Sequence, residues 1–300
     1  MWYNMGTKTR GRQLMKNIIT DFDPRPTKYP FPEDTGSHYL VVKKDNGTVL
    51  DKNYPYVDES GAGKLKRGLV RLALDVFAFL VMRVRLGMRV LGRENLKKNR
   101  ELLEKGAVSC SNHVHLWDYM AVMYAVRPFR TNILAWAKNI RGENGTLIRL
   151  VGGVPVPEND VRASIAMMRD VKALVSGGGW IHVYAEGSMW EYYRPIRPFK
   201  SGAAYFAVKC GRPLVPLGFS YRKPSWIRRR IFRQTALFTL NIGEPLFADE
   251  TLPEKERERD LIARSHDAVC RLAGIDPAEN IYPPVYDNSR RVDYYDLNGN

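Results

Sequence analysis

The sequence predicts an α/β domain with a mostly parallel or mixed sheet flanked by helices, preceded by an amphipathic helical segment. From Gly106 onward, short β-branched runs alternate with segments of helical periodicity, the pattern of strands laid side by side with helices between them. A chain of 300 residues, 44% apolar and 26% charged, is long enough to bury a sizeable core. Between Leu65 and Leu91, apolar positions at helical spacing are mixed with a dense set of arginines.

Residues 1–60 are rich in Pro, Gly, Asp and Tyr, with weak alternation only around Tyr39–Val42, and read as an extended or partly ordered arm. From Lys64 to about Arg100 the chain reads as helix, broken near Gly92, with Leu69, Leu72, Val76, Phe77, Leu80, Val84 and Met88 as its apolar positions. Its longest uncharged run, Val76 to Met82, is far below the roughly 18 residues a spanning helix needs. Arg71, Asp75, Arg83, Arg85 and Arg89 interrupt it, so no bilayer span is expected.

Strands are expected at Ala107–Ser111, Asn132–Trp136, Trp180–Ala185, Leu214–Phe219 and Ala236–Ile242, where β-branched and aromatic residues cluster. Helices are expected at Asp118–Val126, Gly145–Val151, Val161–Ser176, Gly202–Cys210 (ended by Gly211) and Glu254–Leu272. The chain thus divides into an arm (1–60), an amphipathic segment (61–94) that reads either as a charged face packed on the domain or as a membrane-interfacial helix, the main domain (95–275) and a polar tail (276–300).

The 47 Lys and Arg residues outnumber the 32 Asp and Glu, giving a net charge of +15. That balance favours an anionic partner such as a membrane leaflet, nucleic acid, CoA or an acidic carrier protein. Three dispersed cysteines, Cys110, Cys210 and Cys270, argue against a disulfide framework or a thiolate zinc site and fit a reducing cytosol. The first thirty residues show no apolar leader segment.

The sharpest local feature is Ser111-Asn112-His113-Val114-His115-Leu116-Trp117-Asp118, which follows an expected strand and opens an expected helix. Across such a turn, a carboxylate five positions on can orient an imidazole and stabilise the imidazolium as it forms. The second ring nitrogen stays free to take a proton from a hydroxyl. No Ser in a Gly-x-Ser-x-Gly elbow accompanies the pair, which favours direct attack by an activated hydroxyl over a covalent acyl-enzyme. A bland reading, a turn histidine beside a capping aspartate, suits the spacing alone.

Further blocks follow in order: Gly152-Gly153-Val154-Pro155-Val156, read as a turn, then Ala185-Glu186-Gly187-Ser188, then Phe199-Lys200-Ser201-Gly202-Ala203 continuing through Gly211-Arg212-Pro213-Leu214-Val215-Pro216-Leu217, and finally Asn241-Ile242-Gly243-Glu244-Pro245-Leu246. With Asn112-His113-x4-Asp118, this series resembles the 1-acylglycerol-3-phosphate acyltransferase family, in a divergent bacterial form, over roughly Leu86 to Leu246. The resemblance implies that His113 deprotonates an acceptor hydroxyl while Asp118 holds it. The alkoxide then attacks a thioester carried by acyl-CoA or an acyl carrier protein. It also implies that Glu186, Gly187 and Ser188 shape the acceptor site, that no metal or prosthetic group is needed, and that the protein sits peripherally or monotopically on the cytoplasmic face of the cell membrane, against an anionic leaflet. Phospholipid biosynthesis through a lysophosphatidic-acid-like acceptor is the expected role.

The pattern departs from the family where arginines usually hold the acceptor phosphate. Here the second block continues Pro157-Glu158-Asn159-Asp160 and the third Ser188-Met189-Trp190. Either Arg162, Arg194, Arg197 or Lys200 supplies the charge from a neighbouring turn, or the acceptor is a glycolipid or other lipid alcohol without that phosphate. The first account is preferred.

Rival classes have less support. His113, His115 and Asp118 make a metal-like cluster, but His38, His182 and His266 show no paired spacing to complete it. His182 alternates with Ile181 and Val183 and reads as a satisfied sheet histidine. No nucleic-acid-binding signature accompanies the charge. The compact basic patch around Trp226–Arg233 fits lipid headgroups, CoA phosphates or an acidic carrier protein equally well.

Overall fold

The computed structural model describes residues 22–24, 45–58 and 60–280. Tyr39–Val42, His38 and the end of the tail lie outside them. Seven strands form one mixed sheet: β1 (Arg89–Leu91), β2 (Ala107–Ser111), β3 (Thr131–Trp136), β4 (Gly153–Val156), β5 (Trp180–Tyr184), β6 (Leu214–Arg222) and β7 (Leu237–Ile242). Across the sheet the order is β1-β7-β6-β2-β5-β3-β4. Every neighbouring pair is parallel except β6 with β7.

The helices are α1 (Gly61–Leu80), α2 (Arg93–Lys98), α3 (Arg100–Leu103), α4 (Asp118–Ala125), α5 (Ala137–Arg141), α6 (Gly145–Leu150), α7 (Val161–Ser176), α8 (Gly202–Cys210), α9 (Trp226–Arg230) and α10 (Glu254–Ala273). Local chemistry sets their ends. The Asp160 carboxylate accepts from the amides of Arg162 and Ala163 to start α7, and Gly211 and Gly274, both left-handed, stop α8 and α10.

The expected elements after Gly106 are present, with β6 running on to Arg222. Two expectations are corrected. The helix expected from Lys64 to the break near Gly92 instead ends at Leu80, passes through a π-turn (Val81–Arg85) and gives way to β1, with α2 starting after Gly92. Three residues are too few to show a strand period. The signal that separates them is the pair of left-handed glycines, Gly87 and Gly92, on either side. A Cβ on Gly92 would lie 2.1 Å from the Ile242 carbonyl oxygen, so only glycine fits there. The Gly-Gly-Val-Pro-Val turn is the edge strand β4, paired only with β3, where Pro155 interrupts no second ladder.

Alternate side chains enter two cores. Val108, Cys110, Ile181, Val183 and Leu214 meet α7, α8 and α10 on one face. Ala107, Trp180, Val215, Leu217 and Phe219 meet α4 and the α2–α3 region on the other. Part of the expected arm joins the first core: Tyr56 is fully buried there, and Arg149 donates to its carbonyl. α1 packs on α4 and α6, and the Arg71 guanidinium donates to the carbonyls of Thr131 and Val151. Leu65, Leu69, Leu72, Phe77 and Leu80 of α1 remain exposed. Among the described residues no helix is long and apolar enough to cross a membrane.

His182 is the satisfied sheet histidine that its alternation predicts. Its Nδ1 lies 3.0 Å from Ser109 Oγ and its Nε2 3.2 Å from Ser111 Oγ, and Ser111 donates onward to the Asn112 carbonyl. Burial pushes its pKa from 6.5 down to about 3, with smaller opposing effects of Asp118 and His113. The unfolded chain therefore binds a proton here below about pH 6.5 that the folded chain refuses, and stability falls as pH drops from 6.5 towards 3. In His182→Asn, urea unfolding at about pH 7 and about pH 4.5 should show a smaller loss of stability between the two than the parent shows. Equal losses would mean that His182 does not carry this linkage.

Candidate active site

β2 and β5 are central, parallel neighbours with Ser111 opposite Tyr184, so both chains leave the sheet at the same edge. In open α/β sheets the crevice beyond the carboxyl ends of the strands is where ligands bind. The His113 turn follows β2 and the Glu186 turn follows β5. Asn112 fixes the first exit: its side chain donates to the Phe219 carbonyl (3.2 Å) and accepts from the Phe219 amide (2.9 Å).

His113 Nδ1 lies 2.8 Å from Asp118 Oδ2. The same oxygen accepts from the amides of Val114 (3.0 Å) and His115 (3.2 Å), and Oδ1 accepts from the Tyr184 hydroxyl. Burial favours the protonated form of Asp118. The charge of His113 and the hydrogen bonds from His113, Tyr184 and Val114 outweigh it and hold the carboxyl below its usual range. Burial first, and the adjacent Asp118 next, push the Tyr184 phenol well above its ordinary value, so it remains a donor.

The Tyr184 ring also stacks on the His113 imidazole, with centroids 3.6 Å apart and planes 4° from parallel. With an ionised carboxylate at Nδ1, that nitrogen carries the proton and Nε2 carries the lone pair, an assignment made from the bonding. Among the described residues Nε2 makes no hydrogen bond, and the His113 side chain is 22% exposed against 1% for Asp118. Tyr184 was invisible as a site residue in the sequence, where it is one more aromatic in a strand. The available signal was its parity with His182, which places both on the sheet face covered by α4.

The Glu186 turn braces this pair from beneath. Glu186 Oε2 accepts from the His113 amide (3.0 Å) and from Arg197 Nη2 (2.9 Å), and Oε1 accepts from the Arg197 amide. Arg197 Nη1 donates to Ser188 Oγ (2.6 Å), and the guanidinium lies over the Trp190 ring. Glu186, Ser188 and Arg197 are all almost fully buried. They shape the His113 turn from inside the fold. Arg197, buried with its charge matched by Glu186, holds the carboxylate that accepts from the His113 amide.

The remaining predicted site residues lie further out. Gly187 is left-handed and exposed, and a Cβ there would lie 2.6 Å from Lys200 Nζ, so the lysine arches over the glycine. Lys200 is exposed and Arg194 half-buried; neither has an ion pair among the described residues. The His115 side chain does not join the His113–Asp118 pair, to which only its amide donates: its Nδ1 accepts from the Trp117 amide, and its Nε2 lies 3.5 Å from Glu191. Among the described residues no group of three or more His, Cys, Asp or Glu side chains is arranged to hold a metal ion. The amides of Val114, His115 and Trp117 are bonded within the turn, so an oxyanion must find its donors elsewhere.

Leu116 and Trp117, inside the His113–Asp118 turn, open an apolar groove of about 160 Å³ that continues past Met120, Met123, Leu147 and Ile148.

A family model described as Acyltransferase matches residues 87–220. These residues are an acyltransferase domain. The match opens just before β1 and closes within β6, so the acyltransferase domain contains the His113 turn, the Glu186 brace and the four central strands around them. Among solved structures, the chain is similar to the crystal structure of the 1-acyl-sn-glycerophosphate (LPA) acyltransferase PlsC from Thermotoga maritima. The similarity covers 71% of this chain and 90% of that one, with 18% identity and a TM-score of 0.45. Comparison with curated protein sequences finds no match.

Removing one partner of a buried ion pair leaves the other charge uncompensated. Arg197→Ala should therefore cost about 3–5 kcal/mol in denaturant unfolding, whereas Arg194→Ala should stay within about 0.5 kcal/mol of the parent. Equal effects would contradict the division between brace and surface.

Proposed function

We propose that this acyltransferase moves a fatty acyl group from acyl-CoA or an acyl carrier protein to the free hydroxyl of a lysophosphatidic-acid-like glycerolipid, in phospholipid biosynthesis. The observation that carries the proposal is the His113–Asp118 pair, with Nδ1 held by a buried carboxylate, Nε2 without a hydrogen bond among the described residues, and Leu116 and Trp117 of the same turn lining an apolar groove.

In this mechanism Nε2 takes the proton of the acceptor hydroxyl as its oxygen adds to the thioester carbonyl. Asp118 stabilises the imidazolium through Nδ1. The tetrahedral oxyanion then collapses, the carbon–sulfur bond breaks, and the proton on Nε2 passes to the departing thiolate. The ester and a free thiol are the products, and no metal or redox partner is consumed.

The groove beginning at Leu116 and Trp117 suits an acyl chain by its apolar lining. Lys200 and Arg194, without an ion pair among the described residues, are the cations this reading assigns to an acceptor phosphate; Gly187 keeps the approach beneath Lys200 open. The exposed leucines of α1 and the net charge of +15 support a peripheral location on an anionic leaflet, on the cytoplasmic face of the cell membrane. A phosphate-free lipid or glycolipid acceptor is the second reading, favoured by the absence of the family's two arginines.

The test is thiol release from acyl-CoA or acyl carrier protein with and without lysophosphatidic acid. Acceptor-dependent release should fall at least about 10²-fold in His113→Ala and by up to about 10⁴-fold in Asp118→Asn. Lys200→Ala and Arg194→Ala should raise the acceptor KM with little change in kcat. An unchanged KM would favour the phosphate-free acceptor, and no release across a broad panel of lipid alcohols would refute the proposal.

A further inference from the structure

The connection between β6 and β7 carries a surface feature that the reaction does not use. Residues Arg222 to Arg233 include six cations, Arg222, Lys223, Arg228, Arg229, Arg230 and Arg233, and no acidic residue. The short helix α9 lies within it. Trp226 is 70% exposed, Ile227 54% and Ile231 65%. Three large apolar side chains in six residues, all more than half exposed and set among arginines, are far from the scattered exposed residues of an ordinary surface.

The loop is held in place and does not hang free. Ser225 caps α9 through the Arg228 amide, and Gln234 Nε2 donates to the Val84 carbonyl at 2.8 Å. Arg228 bonds both Gln234 Oε1 and the Val84 carbonyl. Val84 lies in the π-turn that continues α1, and its own side chain is 51% exposed, close in sequence to exposed Phe77 and Leu80. The loop thereby extends the exposed apolar face of α1.

We infer that the 223–233 loop is a second membrane-contact element, docking on an anionic lipid surface with Trp226, Ile227 and Ile231 in the interfacial layer and Arg229, Arg230 and Arg233 among the headgroups. Tryptophan beside apolar and basic residues matches the chemistry of that layer. An acidic protein partner would account for the arginines, but it leaves three exposed apolar side chains unexplained. The inference deepens the lipid reading above and rests on it for its purpose. Together, loop and α1 would set the orientation of the groove opening at Leu116 and Trp117.

Binding is measured on the full chain carrying His113→Ala, so that it does not depend on turnover. Co-sedimentation with vesicles of phosphatidylcholine and phosphatidylglycerol should be clear, and weak with phosphatidylcholine alone. The triple variant Trp226→Ser, Ile227→Ser, Ile231→Ser should bind at least about tenfold more weakly. Arg229→Gln, Arg230→Gln, Arg233→Gln should lose about fivefold per charge, on the order of a hundredfold together, and most of its salt dependence. All these side chains are exposed, so unchanged circular dichroism and unfolding midpoint are expected of each variant. Quenching by brominated lipid should be smaller in Trp226→Phe than in the parent. Unchanged vesicle binding in both triple variants would overturn the inference, as would selective loss of acyl carrier protein binding. Failure of the proposed reaction would appear separately, as absent thiol release from a protein with wild-type His113 that still binds vesicles.

Discussion

The carboxylate of Asp118 is almost wholly removed from solvent, and four donors converge on it: His113 Nδ1, the amides of Val114 and His115, and the Tyr184 hydroxyl. A buried charge is tolerable only when it is matched in this way. Each donor comes from a different constraint. The two amides curl the turn, the tyrosine ties it to β5, and the histidine is left with one tautomer and one ring plane. Loss of the charge would release all four at once, which is why the local structure and the proposed chemistry share this group. Beneath it, the Glu186–Arg197 pair fixes the backbone of His113 and the start of the β5 exit, a second layer that touches no reacting atom.

Much of this was legible in the sequence, and the exceptions have physical causes. β2, β5 and α7 announce themselves through β-branched runs and an aspartate cap, signals that depend only on neighbours in the chain. β1 and β4 escaped because a three-residue strand has no readable period and because Gly-Gly-Val-Pro-Val has turn chemistry whichever role the fold gives it. His113 and Asp118 are close in sequence, so their pairing was readable. Tyr184 is 66 positions from Asp118, and its role depends on strand register, which no local pattern encodes. Arg197 shows the converse: a cation near a motif looks available for a ligand until the fold buries it against Glu186.

The distribution of charge and apolar surface bears on how the acyltransferase would reach the lipid acceptor proposed for it. Leu116 and Trp117 lie inside the His113–Asp118 turn yet are exposed, and they line a groove formed with α4 and α6, the two helices on which α1 packs with its own leucines exposed. Under the proposed reading, acyl chains would enter from the same side that meets the membrane. Docking then needs no spanning helix, only enough interfacial area and basic charge to hold that side down. In the same reading, acceptor recognition is assigned to Lys200, Arg194 and the position imposed by the surface itself.

The most direct measurement of the central claim is chemical rescue of His113→Gly by added imidazole, followed as acceptor-dependent thiol release. The deletion leaves a slot between the Tyr184 ring and the Asp118 carboxylate that matches one imidazole. Saturable recovery is expected, rising with the neutral fraction of imidazole and lost when Asp118→Asn is added. Undiminished thiol release from His113→Gly without imidazole would contradict the assignment of His113 as the base.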